Sequence, residues 1–131
     1  MGLERLTPNG LFKPAAYTQV IVASGRRTVF IAGQVSIDAE GRLVAAGDFA
    51  GQVKQVFANL RTALEGAGAT PADVTKITIY VVDYTPELRP LLGDARSKVF
   101  GATLPASTLV GVQALAEPGY LVEVEAIAVI D

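Results

Sequence analysis

A chain of 131 residues, half of them apolar, is long enough to fold as one domain around its own hydrophobic core. A formal net charge of −2 with 18% charged residues gives no clustered excess of Lys and Arg for nucleic acid. The absence of cysteine and histidine excludes disulfides, thiol chemistry, a Ser-His-Asp triad and the commonest metal ligand. We therefore predict a single domain over residues 1–131 with no nucleic acid partner, no metal and no cofactor.

Neither a leader nor a membrane segment is visible in the sequence. The first ten residues lack an apolar core region, and no apolar run approaches the ~18 residues of a membrane span. We expect a cytoplasmic protein that makes no contact with a membrane.

In the first half of the chain, two strands precede a helix. The β-branched runs at 17–23 and 28–37 are joined by a short segment at 24–27, which predicts a β-hairpin. From Asp48, a plausible N-cap, apolar residues follow at helical spacing as far as Leu64. Gly66 and Gly68 end this helix.

The second half repeats the alternation. A strongly β-prone run at 74–82 is followed by a helix at 90–100 and by strands at 107–114 and 120–130. A Glu-Pro-Gly turn separates the last two strands. The order ββαβαββ predicts an α+β fold with two helices on one face of a sheet.

The predicted strands are apolar on both faces, which two helices cannot cover. In the run at 74–82, Ile77, Ile79 and Val81 point one way, while Tyr80 and Val82 point the other. A sheet face in contact with water normally alternates more cleanly. An uncovered apolar face predicts association, so we expect a homo-oligomer.

Two acids interrupt the apolar last strand. Glu123 and Glu125 are two residues apart, so both project from the same face of the strand. Each fits two interpretations: a carboxylate that lines a functional cleft, or a solvated or paired acid at the strand end. The pattern by itself does not separate the two.

The segment "LPASTLVGVQALAEPGYLVEVEAIAV" resembles the carboxyl-terminal signature of the YjgF/RidA family of reactive-intermediate deaminases. The stretches "PAAYTQVIVASG", "VFIAGQVSID" and "VTKITIYVVD" occur in the order that the family has. The resemblance implies a chorismate-mutase-like fold with a mixed, mostly antiparallel sheet. It also implies a homotrimer in which the sheets form a central barrel, with small-molecule clefts between subunits.

In family members with deaminase activity, 2-imino acids or their enamine tautomers are hydrolysed to 2-keto acids and ammonia. An arginine holds the substrate carboxylate, and a glutamate positions the attacking water. The resemblance places that glutamate at Glu123, an aromatic residue at Tyr17 and a Gly-Gln pair at Gly33 and Gln34. The arginine position falls on Ser107.

Ser107 departs from the family pattern, which has Pro-Ala-Arg at this point, and Ala32 stands where a serine is usual. Without a cation, a bound carboxylate would face Glu123 with no compensating charge, which costs up to several kcal/mol. Ser107 and the neighbouring Thr108 suit a neutral, amide-like or hydroxylated ligand. We therefore expect a divergent imine or enamine hydrolase with little activity on carboxylated 2-imino acids.

Two other functions remain open. The clefts could serve a non-catalytic ligand sensor or partner-binding module. The chain could also be an ordinary 2-imino acid deaminase in which Arg89 or Arg96 holds the carboxylate, although the sequence favours a solvated surface position for both arginines. The more ordinary interpretation of Glu125 is structural, and Tyr17 could simply cover the core. Ser107 and Thr108 could be plain strand residues, and Gly33 could relieve crowding.

Overall fold

The computed structural model describes residues 2–131, which form six strands and two helices. In chain order these are β1 (Gly2–Leu6), β2 (Val20–Ser24), β3 (Arg27–Gln34), α1 (Phe49–Gly66), β4 (Val74–Val82), α2 (Arg89–Phe100), β5 (Ala106–Val112) and β6 (Val122–Ile130). Single 3₁₀ turns at Pro71–Asp73 and Pro86–Leu88 precede β4 and α2.

Four strands form the main sheet in the order β3-β6-β4-β5. Strand β6 is antiparallel to both of its neighbours, whereas β4 and β5 run parallel because α2 connects them. Strands β1 and β2 pair separately. The predicted α+β fold, with a mixed, mostly antiparallel sheet and two helices packed on it, is confirmed.

The predicted hairpin at 24–27 is wrong. Strand β2 pairs with β1, which the sequence did not reveal, and β3 pairs with β6. The turn carries the chain past the end of β6: Arg26 N donates to Ile130 O at 3.0 Å. A Cβ atom on Gly25 would come within 2.6 Å of Val129 Cγ1, so this close passage requires glycine.

The core lies between the helices and one face of the sheet. Helix α1 begins at the predicted N-cap, since Asp48 Oδ1 accepts a hydrogen bond from Gly51 N at 3.1 Å. Its apolar stripe is buried as the helical spacing predicts, through Val53, Val56, Phe57, Leu60 and Leu64. Alternate residues of β4 and β6 face this stripe, namely Val74, Ile77, Ile79, Val81, Val122, Val124, Ala126, Ala128 and Ile130.

Over residues 2–131, no helix covers the other face of the sheet, which we call the uncovered face. Phe30, next to β6 on this face, is 76% exposed, and Val110 on β5 is also exposed. A groove of about 580 Å³ crosses the face and is lined in part by Phe30, Thr78 and Ile127. Over residues 2–131, neither helix has the length and apolarity needed to cross a membrane.

Gln52 is the one amide side chain that is fully buried in the part of the chain described, residues 2–131. Its Nε2 donates to Gly119 O at 2.9 Å and to Ala45 O at 3.3 Å, and its Oε1 accepts from Leu121 N at 3.0 Å. The side chain therefore fastens α1 to the turn that precedes β6, where it supplies hydrogen bonds that the backbone cannot make for itself.

Gln52→Leu should lower the free energy of unfolding by about 2–4 kcal/mol, because Leu121 N and Gly119 O would lose their buried partner. Urea denaturation at a fixed protein concentration measures the change. Gln113→Leu, at an exposed position, is the matched control and should have little effect. A loss below ~0.5 kcal/mol for Gln52→Leu would show that the amide is not a structural tie.

Candidate functional site

Glu123 and Glu125 project from the uncovered face of the sheet. Their neighbours Val122 and Val124 are buried against the helices, so the alternation of β6 directs both carboxylates away from the core. In the register with β4, Glu123 lies opposite Tyr80 and Glu125 lies opposite Thr78. The two acids are partly buried on a face that carries no other carboxylate of β4 or β6.

A β-bulge in β3 brings Gly33 against Glu123. Ile31 pairs with Ala126 and Gln34 pairs with Val124, so three steps along β3 correspond to two along β6. A Cβ atom on Gly33 would lie 2.2 Å from Glu123 Oε2. Because Gly33 has no side chain, the Glu123 carboxylate can occupy the space beside it.

Gln34 supports the same bulge. Its Nε2 donates to Ala32 O at 3.0 Å, which satisfies a carbonyl that the irregular pairing leaves free. Gly33 and Glu123, both selected from the sequence, are therefore in contact, and Gln34 follows Gly33 in the chain. We call these three residues the glutamate half-site.

The environment of Glu123 favours the protonated form. Partial burial raises the pKa of the Glu123 carboxyl, and the nearby charge of Glu125 raises it further. Glu125 accepts a hydrogen bond from Tyr80 Oη at 2.9 Å, and this contact raises the pKa of Tyr80. Glu125 thus has a structural partner, while the raised pKa of Glu123 suits this carboxyl to accept a proton.

Ser107 lies on the opposite face of the sheet from Glu123. It pairs with Ile77 in the parallel ladder of β4 and β5, and Ile77 is a core residue on the helix side. Thr108 pairs with Thr78 and faces the other way, where Lys76 Nζ donates to its Oγ1 at 2.5 Å. The two hydroxyls that the sequence suggested as a pair therefore do not face one ligand from the same side.

Tyr17 lies at the same edge of the sheet as Ser107. Thr18 forms a parallel bridge with Ala106, and its amide donates to Pro105 O at 3.1 Å. The Thr18 hydroxyl also donates to Leu104 O at 2.6 Å. These bonds hold the chain at Tyr17 beside the start of β5.

Arg96 reaches Ser107, contrary to the expectation of a solvated surface position. Its Nη1 donates to Ser107 Oγ at 3.4 Å, and the side chain is partly buried, whereas Arg89 is exposed as expected. The sequence contained a signal for this: Arg96 lies four residues from both Leu92 and Phe100, which are buried. We call Tyr17, Arg96 and Ser107 the serine half-site.

The two half-sites do not meet within one chain. Ser107 of β5 pairs with Ile77 of β4, and Glu123 of β6 pairs with Tyr80 of β4. Ile77 and Tyr80 are three residues apart, so they project from opposite faces of β4. Ser107 and Glu123 therefore lie on opposite faces of the sheet, on the two strands that flank β4. Among residues 2–131, no three Asp or Glu side chains gather into a metal site.

Gly33→Ala should force Glu123 into another rotamer and lower the free energy of unfolding by about 1 kcal/mol. In a Glu123→Ala background the same change should have almost no effect, which a double-mutant cycle by urea denaturation measures. Gly93→Ala in α2, where an added Cβ would meet nothing within 4 Å, is the control and should stabilise slightly. Equal losses in both backgrounds would contradict the contact.

Comparisons with known proteins agree with this architecture. The profile of the family described as endoribonuclease L-PSP matches residues 10–130. A RutC family protein of Pyrococcus abyssi is 38% identical over 100 residues, covering 76% of each chain. A 2-iminobutanoate/2-iminopropanoate deaminase of Bos taurus is 35% identical over 120 residues, covering 88% of this chain and 83% of the relative.

Solved structures extend the likeness to the whole fold. The crystal structure of YyfB, a protein of the conserved Rid family from Yersinia pestis, superposes with a TM-score of 0.92 at 37% identity. The alignment covers 98% of this chain and 99% of YyfB. The profile match, the relatives and the shared fold together establish that the chain belongs to the YjgF/RidA family.

Proposed function

We propose that the protein is a homotrimeric imine or enamine hydrolase, a deaminase, whose clefts lie between subunits. The observation that carries the proposal is the separation of the two half-sites. Glu123 and Ser107 lie on opposite faces of one sheet, so a single chain cannot present both to one small molecule. A second copy that places its serine half-site against the glutamate half-site would complete the cleft.

The uncovered sheet face supports association. Phe30 is 76% exposed, and Ile127 of β6, its cross-strand partner, lies on the same face. An exposed aromatic side chain on a sheet face that no helix covers is a feature of subunit interfaces. The number three comes from the family resemblance, in which three sheets enclose a barrel.

Glu123 is suited to activate water in this cleft. A carboxylate with a raised pKa holds a proton more readily at neutral pH, so it can take one from a water that attacks the imine carbon. The water oxygen bonds to that carbon, the C=N double bond becomes a C–N single bond, and a proton moves to nitrogen. The carbinolamine hydroxyl then gives up its proton, which is transferred to nitrogen, and the C–N bond breaks to leave ammonia and the carbonyl product.

The serine half-site argues for a departure in substrate. Ser107 offers one hydroxyl where the family has a bidentate guanidinium, so a carboxylate next to the imine carbon is held less well. We therefore propose low activity on 2-imino acids whose only charge is that carboxylate. A non-catalytic sensor using the same clefts is the alternative, and a lack of hydrolysis with retained ligand binding would favour it.

Glu123→Gln should reduce imine hydrolysis by ~10²-fold or more, because the amide cannot accept the proton of the attacking water. The assay couples an amino acid oxidase, which generates imines, to the release of ammonia. Sedimentation equilibrium serves as the control and should give a trimer for both proteins. Unchanged turnover would remove Glu123 from the mechanism, and loss of the trimer would assign it a structural role.

The native protein should turn over 2-iminobutanoate poorly, and Ser107→Arg combined with Arg96→Gln should raise turnover by ~10-fold or more. The second change is included because Arg96 Nη1 lies 3.4 Å from Ser107 Oγ, where two guanidinium groups would repel each other. Binding of 2-oxobutanoate, measured by calorimetry, should strengthen in parallel. Efficient turnover by the native protein would show that another cation holds this carboxylate.

A further inference from the structure

Arg96 is a partly buried cation without a carboxylate partner. Among residues 2–131, ion pairs within 4.0 Å form only between Arg42 and the acids Asp38 and Glu40. The guanidinium of Arg96 carries five N–H donors, and its one recorded side-chain contact is a long hydrogen bond of 3.4 Å to Ser107 Oγ. Most of its donors are therefore available to a ligand.

In the protein without a ligand, the unpaired charge of Arg96 is in an unfavourable environment. Burial lowers the pKa of Arg96, and the positive charge of Arg89, two helical turns earlier on α2, lowers it further. A partly buried charge without a counter-ion is less favourable than a paired one, and an anionic oxygen pair would supply the missing partner. Arginine suits such a partner, because its planar fork matches a carboxylate in bidentate geometry.

The position of Arg96 indicates where a bound anion would lie. The guanidinium reaches Ser107 from α2, so an anion on its remaining donors lies beyond the serine hydroxyl, towards the helix. Arg89 extends the positive charge further along the same side of α2. Such an anion is farther from a reacting carbon in the cleft than a carboxylate clamped at position 107 would be.

We propose that Arg96, assisted by Arg89 and Ser107, forms a subsite for the distal anionic group of a dicarboxylate ligand. The inference rests on the proposed function, and it names the substrate class as imines or enamines of dicarboxylic 2-oxo acids. Over residues 2–131 neither arginine forms an ion pair within 4.0 Å, so both charges are available to a second carboxylate. The same residues give no comparable contact to a ligand whose side chain is short and uncharged.

The experiment compares two product analogues of similar length that differ in distal charge, 2-oxoglutarate and 2-oxohexanoate. Calorimetry on the native trimer should show 2-oxoglutarate binding on the order of 10- to 100-fold more tightly. Arg96→Gln should abolish this preference, and Arg89→Gln should weaken it. Arg61→Gln, an exposed position on α1, is the control and should leave the preference unchanged.

Arg96→Lys is a second variant, included in case Arg96→Gln fails to fold. Lysine retains the charge but lacks the fork, so it should keep part of the preference for 2-oxoglutarate. Equal affinity of the native protein for the two analogues would overturn the proposal, as would a preference that survives Arg96→Gln. Loss of the trimer in both Arg96 variants, with no anion binding in the native protein, would also overturn it and assign Arg96 to the subunit contact.

Hydrolysis measurements distinguish the distal subsite from the hydrolase function. Imine hydrolysis that depends on Glu123 but shows no preference between the 2-imino forms of the two analogues would leave the hydrolase assignment intact and remove the distal subsite. Tight binding of 2-oxoglutarate without any hydrolysis would retain the subsite and favour a ligand sensor.

Discussion

Helices on one face of the sheet and none on the other impose different demands on the two sides of strand β6. Val122, Val124 and Ala126 are buried under α1, whereas Glu123 and Glu125 project towards the uncovered face. Because side chains alternate along a strand, a single stretch of chain can supply both a core and a polar site. The position of Glu123 follows from the packing of its two neighbours.

The rest of the site depends on how β6 meets the adjacent strands. The bulge in β3 removes regular pairing at one point and places Gly33, which has no side chain, where the glutamate needs room. On the other side, Tyr80 of β4 donates to Glu125, and partial burial together with the charge of Glu125 raises the pKa of Glu123. Two chemically identical side chains two residues apart thus acquire different environments.

The parallel pairing of β4 with β5 places the serine half-site on the opposite face of the sheet from the glutamate half-site. Since Ser107 is aligned with Ile77, its hydroxyl lies on the helix side, where Arg96 of α2 contacts it. The cation next to position 107 therefore comes from a neighbouring helix and not from the strand. The uncovered sheet face is the basis for the proposed inter-subunit cleft. The location of Arg96 on a helix is the basis for the proposed distal anion subsite.

Local patterns in the sequence determined the elements that depend on near neighbours. The apolar spacing from Val53 to Leu64 and the cap at Asp48 define α1, and strict alternation defines β6, because both are set by the geometry of one segment. Only the tertiary structure decided the pairing of β2 with β1, the approach of Gly33 to Glu123 and the contact of Arg96 with Ser107. Each of these joins residues from separate segments, so it depends on strand order and register, which no single stretch of sequence specifies.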